Sequence, residues 1–278
     1  MSMLKEARSV TPVIKWAGGK RQLIPIIKSM LPETYNRYYE PFLGGGALFC
    51  DLTPVSAVIN DANKKLINLY ECIKDNPFKL CKILSDFQNQ YNSKSLMEEK
   101  DFLYYELRNR FNKENIENFE EAALFVFLNK TGFNGLYRVN SRDLYNVPAG
   151  HKKEIKLFDE DNIYALSELL EFSEILNTDF EKACESCEKR DFVFFDSPYY
   201  DTFDSYQAGG FSKKDHLRLF ELFNRLSEKN VYCLMTNNSC DYIKELYKAY
   251  NIKTIDVKRA INCNGKDRTG TEVIITNY

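Results

Sequence analysis

The hydrophobic positions of this chain form short apolar runs, typical of buried strands, that alternate with longer stretches of helical spacing. The runs that predict strands are residues 38–42, 55–60, 175–177, 192–195, 231–236, 252–257 and 273–277. The stretches that predict helices are residues 62–73, 163–170, 213–229 and 240–250, together with a helix that begins at Phe180. Because strands and helices alternate, the pattern predicts an α/β fold with a mostly parallel sheet.

The middle of the chain departs from this alternation. Its apolar residues recur at helical spacing without a strand pattern, and it ends in a polar loop rich in Gly and Asn, residues 131–153. We therefore expect two domains. The α/β domain would be formed by residues 1–75 and 160–278, and a helical domain would be inserted at residues 76–159.

Composition excludes several classes of protein. Hydrophobic residues make up 44% and charged residues 28% of the chain, which favours a packed core over disorder. The longest apolar run, residues 122–128, is shorter than the ~20 residues of a membrane span, and residues 1–10 do not resemble a signal peptide. We expect a cytoplasmic protein without membrane contact. Cys184 and Cys187 form a C-x-x-C pair, but no second pair of ligands has suitable spacing, so we predict reduced thiols on a helix and no metal site.

A glycine-rich turn follows the first predicted strand, in the sequence Glu40-Pro-Phe-Leu-Gly-Gly-Gly46. Glycines between a strand and a helix let a cofactor approach the backbone. Asp61 follows the second predicted strand, where nucleotide-binding folds hold ribose hydroxyls with an acid. Together these features indicate an adenosine-containing cofactor, whereas the turn alone fits a structural role equally well. Phe49 at the third glycine position disfavours a dinucleotide, and Arg21 after Lys20 disfavours a P-loop.

A second motif, Asp196-Ser-Pro-Tyr199, directly follows the predicted strand at residues 192–195. It brings a carboxylate, a turn restrained by proline and an aromatic ring to the carboxyl end of a buried strand. Open α/β sheets bind their ligands at this edge, so these residues are candidates for catalysis. Taken alone, the tetrapeptide could equally be an Asx turn that closes the strand.

Together the motifs occur in the order found in Dam-type DNA adenine-N6 methyltransferases of the alpha group, and the chain most resembles the DpnII-type GATC methyltransferases. The motifs are Lys15-Trp-Ala-Gly-Gly-Lys20, residues 40–46, Asn60-Asp61, Asn177-Thr-Asp-Phe180 and Asp196-Ser-Pro-Tyr199. Residues 132–140 with Asn146-Val-Pro148 resemble the family's target-recognition loop, and residues 274–278 resemble its closing strand. The resemblance covers nearly the whole chain. It implies a Rossmann-like class I methyltransferase fold whose inserted helical domain recognises the DNA target.

The resemblance also implies that S-adenosylmethionine is the methyl donor. The residues implied to bind it are Trp16 and Lys20 in the wall of the site, Phe42, Gly44 and Gly46 in the glycine turn, Asp61 at the ribose, Asp179 and Phe180 at the adenine, and Asp196. Core packing is the alternative interpretation for Trp16 and Phe180.

By the same resemblance, Asp196, Ser197, Pro198 and Tyr199 are the catalytic residues. The amino nitrogen of adenine is a poor nucleophile because its lone pair is delocalised into the ring. The Asp196 carboxylate and the Ser197 carbonyl would accept its hydrogens and favour a more pyramidal nitrogen. Tyr199 would stack on the base, a contact worth roughly 1–3 kcal/mol. A base inside a duplex cannot reach such a pocket, so the target would be flipped out.

Ser197 departs from the family's usual Asp-Pro-Pro-Tyr sequence. The backbone carbonyl is kept, but the turn loses the rigidity of one ring. We expect an active enzyme that methylates adenine N6, with GATC as its site. Two alternatives stay open: a DNA-binding protein of this fold with weak or lost catalysis, and an enzyme that methylates RNA or a protein amide. The recognition loop argues against the second alternative.

The residues implied to bind double-stranded DNA read base edges, fill the gap left by the flipped base, pack against the recognition sequence or contact phosphates. They are Lys15 and Arg138 for base edges, Phe133 and Asn134 for the gap, Leu136 and Pro148 for packing, and Arg142, with Lys152 and Lys153, for phosphates. A solvated loop is the alternative interpretation of these basic residues, and taken singly it is the better one for Lys152 and Lys153. His151 stands where family members often have an arginine. The sequence is compatible with a companion restriction endonuclease and with a monomer or a weak dimer.

The charge balance supports local rather than indiscriminate binding of DNA. The whole chain has 38 basic and 40 acidic residues, a net charge of −2, which argues against a protein that coats nucleic acid. Residues 1–28, 128–156 and 258–268 nevertheless carry +5, +4 and +3, whereas residues 157–188 carry −9. We expect a local basic face and a DNA affinity that falls as salt concentration rises.

Overall fold

The structure is a computed structural model that describes residues 9–16, 18, 20, 22–200, 210–258 and 269–278. Its strands are β1 (Tyr38–Glu40), β2 (Ala57–Asn60), β3 (Ser173–Leu176), β4 (Phe192–Phe195), β5 (Tyr232–Asn238), β6 (Asn251–Lys258) and β7 (Thr269–Thr276). They form one sheet in the order β3-β2-β1-β4-β5-β7-β6, in which β7 pairs antiparallel with both of its neighbours. The other neighbouring strands pair in parallel. The predicted α/β fold with a mostly parallel sheet is confirmed.

The helices of the described chain surround this sheet. They are α1 (Ile24–Lys28), α2 (Ala47–Leu52), α3 (Lys64–Asp75), α4 (Pro77–Asn92), α5 (Met97–Phe111), α6 (Asn118–Thr131), α7 (Glu160–Glu171), α8 (Phe180–Ala183), α9 (Lys213–Glu228) and α10 (Asp241–Leu246), with a 3₁₀ turn at Phe133–Gly135. Every predicted helix is present, but α10 ends four residues earlier than the apolar pattern suggests, because the apolar side chain of Tyr250 packs against the sheet core from outside the helix.

Strand boundaries differ from the prediction where pairing, rather than apolar patterning, defines the strand. β7 begins at Thr269, not at Val273, because its polar first half pairs with β6 from Thr269↔Lys258 onward. β2 begins at Ala57 rather than at Val55, whose side chain is 90% exposed. The ends of a strand are set by backbone hydrogen bonds to its neighbour, so a polar residue can belong to a strand and an apolar residue can lie outside one.

Side chains cap the helices that begin next to the carboxyl edge of the sheet. Asn63 caps α3 by accepting a hydrogen bond from Leu66 N at 3.1 Å. Asp179 caps α8 by accepting one from Glu181 N at 3.0 Å, and Ser212 begins α9 with a capping box. Each cap satisfies a backbone N–H that has no partner within its helix. The cap at α8 fixes a carboxylate at the rim of the region described below.

Both faces of the sheet are buried, each in its own core. Tyr38 and Phe192 point to the face covered by α3, α6 and α7, while Tyr39 and Phe195 point to the face covered by α9 and α10. Helices α4–α6 of the predicted insert contribute to the first of these cores, for instance through Phe127. The helical segment therefore continues one face of the sheet, and its separation as a domain stays a prediction. Within the described ranges, no helix is long and apolar enough to span a membrane.

Candidate functional site

A cavity of about 1110 Å³ lies at the carboxyl ends of β1, β2 and β4. β1 and β4 are neighbours, and the chain continues from β1 to β2 on one side and from β4 to β5 on the other, which is where open α/β sheets bind ligands. The volume exceeds the roughly 300–1,000 Å³ of most small-molecule sites. The predicted residues that line it are Lys15, Trp16, Lys20, Phe42, Gly44, Asp61, Asn134, Leu136, Asp179, Phe180, Asp196, Ser197, Pro198 and Tyr199. The cavity thus has room for two ligands side by side.

The glycine turn after β1 requires glycine at two positions. Gly44 has a φ of +51°, and a Cβ built there would lie only 2.6 Å from Trp16 Cδ1. Gly46 has a φ of +65° and precedes α2, but it does not line the cavity. A side chain at Gly46 would instead approach the Tyr70 hydroxyl at 2.9 Å. Gly44 therefore shapes the cavity directly, whereas Gly46 acts through the backbone of the turn.

Trp16 belongs both to the core and to the wall of the cavity. Its ring stacks on Tyr137 and Phe125, with centroids 5.5 and 6.3 Å away, and its other side faces the glycine turn. The two interpretations of Trp16 are therefore compatible. Core aromatics hold the indole, and the held indole closes one side of the cavity.

Two polar side chains at the end of β2 bind the surrounding loops together. Asp61 accepts hydrogen bonds from Gly44 N and Asn63 N, both at 2.9 Å, and so ties the glycine turn to the start of α3. Asn60 is 1% exposed; it donates to Pro41 O at 2.9 Å and accepts from Thr178 N at 2.9 Å. The sequence motif contains Asn60, but its role as a link among three loops depends on the parallel neighbours of β2.

Aromatic rings form the far wall of the cavity. Phe42 and Phe180 stack with centroids 5.3 Å apart, and the guanidinium of Arg218 lies 4.8 Å from the Phe180 ring. Arg218 Nη2 also donates to Asp179 Oδ1 at 2.7 Å, and hydrogen bonds to carboxylates raise the pKa of Arg218. Sequence reasoning missed Arg218 because nothing marks this residue of α9, 39 positions after Asp179. It holds the predicted adenine-contacting pair in place.

Asp196, after β4, has two partners on a single oxygen. Lys20 Nζ lies 2.6 Å from Asp196 Oδ1, and Thr236 Oγ1 donates to the same oxygen at 2.9 Å. Lys20 is 5% exposed, and its ammonium lies 4.8 Å from the centre of the Tyr199 ring. Lys20 thus lines the cavity, but its charge is directed at the carboxylate, and its role in binding the donor stays a prediction. The Tyr199 hydroxyl donates to Glu272 Oε2 at 2.6 Å, which fixes the ring.

Glu40 is a buried acid at the end of β1 that sequence reasoning left without a role. Its side chain is 2% exposed, lines the cavity and accepts a hydrogen bond from the Tyr38 hydroxyl at 2.7 Å. Burial raises the pKa of Glu40 well above its ordinary value. An acid that directly follows two aromatic residues in a run predicted to be a strand was the signal that could have identified it.

The predicted recognition loop adjoins the cavity, and Asn129 links this loop to the segment that carries Lys15 and Trp16. The Asn129 side chain accepts from Lys15 N at 2.8 Å and donates to Lys15 O at 2.8 Å and Gly135 O at 3.0 Å. Asn134 has a φ of +55°, and Phe133 before it is 52% exposed. The segment that carries Trp16 is therefore fastened to the loop.

Several predicted DNA-binding residues lie outside the cavity on the same loop. Arg138 is exposed, but Asn146 holds it: Arg138 Nε donates to Asn146 Oδ1 at 2.7 Å, and Nη2 donates to Asn146 O at 3.3 Å. Arg142 and Pro148 are exposed, and Pro148 O accepts from Phe133 N at 2.9 Å. Much of the predicted basic charge at residues 1–28 and 258–268 lies outside the described residues.

The two cysteines of the C-x-x-C pair are buried free thiols. They follow the end of α8 instead of lying on the helix, and their mutual hydrogen bond, together with burial, raises the pKa of Cys184 well above its ordinary value. Within the described part of the chain, no group of three or more His, Cys, Asp or Glu residues is arranged to hold a metal ion.

His216 predicts a measurable pH dependence of stability. It lies buried on α9, edge-on to Tyr200 and Phe211, and burial lowers its pKa from 6.5 to about 4. The folded state therefore disfavours the protonated ring, so stability that is present above pH 6.5 is lost as the pH falls toward 4. Between pH 7.5 and 5, we expect the unfolding free energy of the wild type to fall by about 2 kcal/mol more than that of His216→Gln.

The measurement is chemical denaturation of both proteins at the two pH values. Because all other titrating groups are shared, the difference between the two proteins reports His216 alone. Parallel pH profiles for the wild type and His216→Gln would contradict the assigned burial effect.

Residues 16–261 match the D12 class N6 adenine-specific DNA methyltransferase family. The chain is 41% identical to the type II methyltransferase M1.LlaDCHI of Lactococcus lactis subsp. cremoris, over 100% of this chain and 99% of that protein. It is 36% identical to the type II methyltransferase M.MjaIII of Methanocaldococcus jannaschii, over 97% and 99% of the two chains. It is 31% identical to the DNA adenine methylase of Haemophilus influenzae, over 99% and 96%.

Proposed function

Because the chain belongs to the D12 class of N6-adenine-specific DNA methyltransferases, we propose that it methylates the adenine of GATC in double-stranded DNA after flipping this base into the cavity. Family membership gives the reaction, methylation of adenine N6 in DNA, and implies S-adenosylmethionine as the donor. One observation carries the finer proposal: the glycine turn, Asp196-Ser-Pro-Tyr199 and the start of the recognition loop line one cavity. Residues 76–159 would supply target recognition.

The residues at the glycine turn fit a donor of this chemistry. Phe42 and Phe180 offer apolar faces to a purine, and Asp179 at the cap of α8 offers a carboxylate to its amino group. Asp61 lies at the carboxyl end of β2, where a ribose hydroxyl would be bound. Glu40 offers a buried acid for a cationic group. S-adenosylmethionine supplies an electrophilic methyl group on a positively charged sulfur.

At the other end of the cavity, the chain offers acceptors for an amino group. Both described partners of Asp196 contact Oδ1, so Oδ2 would accept the hydrogen of an incoming N–H. The Ser197 carbonyl would accept the second hydrogen, and Tyr199, held through Glu272, would stack on the base. These contacts favour a pyramidal nitrogen and offset the positive charge that develops on it.

Recognition of guanine would depend on Arg138. Asn146 engages Nε and one side of Nη2, which leaves the outer edge of the guanidinium for two parallel hydrogen bonds to guanine O6 and N7. Lys15, fixed by Asn129, would reach a second base edge. The half-exposed Phe133 beside the cavity would fill the gap left by the flipped adenine.

The proposal predicts protection of DNA in cells. Expression of the wild type in a host without GATC methylation should make its DNA resistant to a GATC nuclease that methylation blocks. DNA from cells with the Asp196→Ala variant should be cut, and a nuclease insensitive to methylation should cut both samples. Methylation of adenine elsewhere, with GATC still cut, would contradict the sequence assignment. Donor and DNA binding without any transfer would favour the binding-protein alternative.

A companion restriction endonuclease is a further part of the proposal. Two relatives over the whole chain are named type II methyltransferases, and such a partner would cut the sequence that this enzyme protects. We place both in the cytoplasm with the DNA.

A further inference from the structure

Two consecutive polar side chains of β5, Thr236 and Asn237, form hydrogen bonds with the turn that contains Asp196. β4 and β5 pair in parallel with Phe195 beside Met235. Continuing this register by one residue and by two sets Asp196 beside Thr236 and Ser197 beside Asn237. Thr236 and Asn237 are both 0% exposed, although each has a polar side chain. Burying a polar side chain costs free energy that its hydrogen bonds only offset. Two consecutive buried polar residues at this position therefore indicate a role beyond packing.

The contacts hold both ends of the turn. Thr236 Oγ1 donates to Asp196 Oδ1 at 2.9 Å. Asn237 Nδ2 donates to Ser197 Oγ at 3.4 Å, and Asn237 Oδ1 accepts from Tyr200 N at 3.2 Å. The tetrapeptide from Asp196 to Tyr199 is therefore restrained by side chains from the neighbouring strand at its start, at its second residue and just after its end.

We propose that Thr236 and Asn237 are positioning residues for methyl transfer, Thr236 through the Asp196 carboxylate and Asn237 through the hydroxyl of Ser197. This inference rests on the proposed function. A β-branched side chain in a strand has a restricted χ1, so the Thr236 hydroxyl is held toward Oδ1, which would leave Oδ2 to accept from the target. Asn237 and Ser197 together replace the restraint that a proline ring would give this residue.

The hydrogen bond between Asn237 and Ser197 explains how the chain tolerates serine at position 197, where the family usually has proline. A proline would fix φ at this residue, whereas serine leaves it free in an unrestrained chain. The carbonyl that accepts from the target belongs to the same residue, so its direction depends on this torsion. The Ser197 side chain is buried at 2% exposure and bound to Asn237, which limits the rotation.

The first test removes the Thr236 hydroxyl. Thr236→Val should lower the single-turnover rate about 10- to 100-fold, the range for a hydrogen bond to a charged group, with the dissociation constants for donor and DNA within about twofold of wild type. Thr236→Ser should recover most of the rate. Thr276→Val is the matched control, because Thr276 is a buried threonine of β7 whose hydroxyl donates to Tyr278 O at 3.1 Å.

The second test compares Ser197→Ala with Ser197→Pro. Ser197→Ala loses the contact with Asn237 and should lower the single-turnover rate about tenfold, whereas Ser197→Pro, whose ring supplies the restraint, should recover most of the rate that Ser197→Ala loses. Ser173→Ala is the matched control, since Ser173 is a buried serine at the start of β3. Unmethylated genomic DNA serves as substrate in both tests, so that the recognition sequence does not affect the outcome.

The outcomes separate this inference from the proposed function. A wild type that transfers methyl groups at the same rate as Thr236→Val overturns the role of Thr236, and equal rates for the wild type and Ser197→Ala overturn that of Asn237. An equal loss in Thr276→Val or Ser173→Ala would reduce the effect to general destabilisation and overturn the inference as well. If the wild type shows no transfer while Ser197→Pro is active, the claim that Asn237 and Ser197 together supply the restraint of a proline ring is overturned. No transfer by either protein overturns the proposed function itself.

Discussion

Asp196→Ala should lower methyl transfer by at least about 100-fold, the effect of removing one preorganised partner of a developing charge. The carboxylate is the only charged acceptor that the Asp196-Ser-Pro-Tyr199 turn offers to the amino group. Asp196 is also implied to contact the donor, but the donor end of the cavity around Phe42 and Phe180 is formed by other elements, so S-adenosylmethionine should still bind with a loss smaller than that of methyl transfer. Single-turnover methylation of a GATC duplex and calorimetric donor binding measure the two effects separately.

The same variant should lose stability, because it leaves the Lys20 ammonium buried without its carboxylate partner, with the Gly18 carbonyl as its remaining acceptor. Breaking a buried ion pair costs roughly 3–5 kcal/mol, and the 21% exposure of the Asp196 side chain favours the lower end. Adding Lys20→Met to Asp196→Ala should restore the unfolding free energy but not the methyl transfer. Recovery of activity in the double variant would show that Asp196 only neutralises Lys20 and would contradict its catalytic role.

Gly44→Ala should lower donor affinity at least about tenfold, because the new methyl group cannot fit without moving a wall of the cavity. Its Cβ would lie 2.6 Å from Trp16 Cδ1, and Trp16 cannot retreat from the stacked rings of Tyr137 and Phe125. The positive φ of +51° adds strain of about 1–2 kcal/mol for a residue with a side chain. Titration calorimetry with the donor and chemical denaturation measure the two effects.

Gly18→Ala is the matched control for Gly44→Ala. Gly18 also lines the cavity and has a φ of +77°, but a Cβ there would meet only the flexible end of Lys20, at 3.7 Å. The control therefore carries the backbone strain without the clash with Trp16. Similar losses of donor affinity in both variants would contradict the role of the Trp16 contact, and unchanged affinity in Gly44→Ala would exclude the glycine turn from the donor site.

Much of the fold and of the candidate site can be predicted from short stretches of the sequence. Apolar periodicity predicts the alternation of strands and helices, and every predicted helix occurs. The glycine turn, Asp61 and Asp196 each directly follow a buried strand, so a parallel sheet brings them to one edge. These features depend on local geometry, which short stretches of sequence specify.

The partners of these residues depend on the order and register of the strands. Thr236 reaches Asp196 across 40 positions of the chain, Arg218 reaches Asp179 across 39, and Asn129 reaches Lys15 across 114. No local pattern marks these side chains, because each is an ordinary polar residue until a neighbouring strand or helix packs beside it. The sequence by itself thus determines which reactive groups lie at the ends of the strands. Their hydrogen-bond partners are decided by the tertiary structure, because a hydrogen bond forms only between atoms that packing brings into contact.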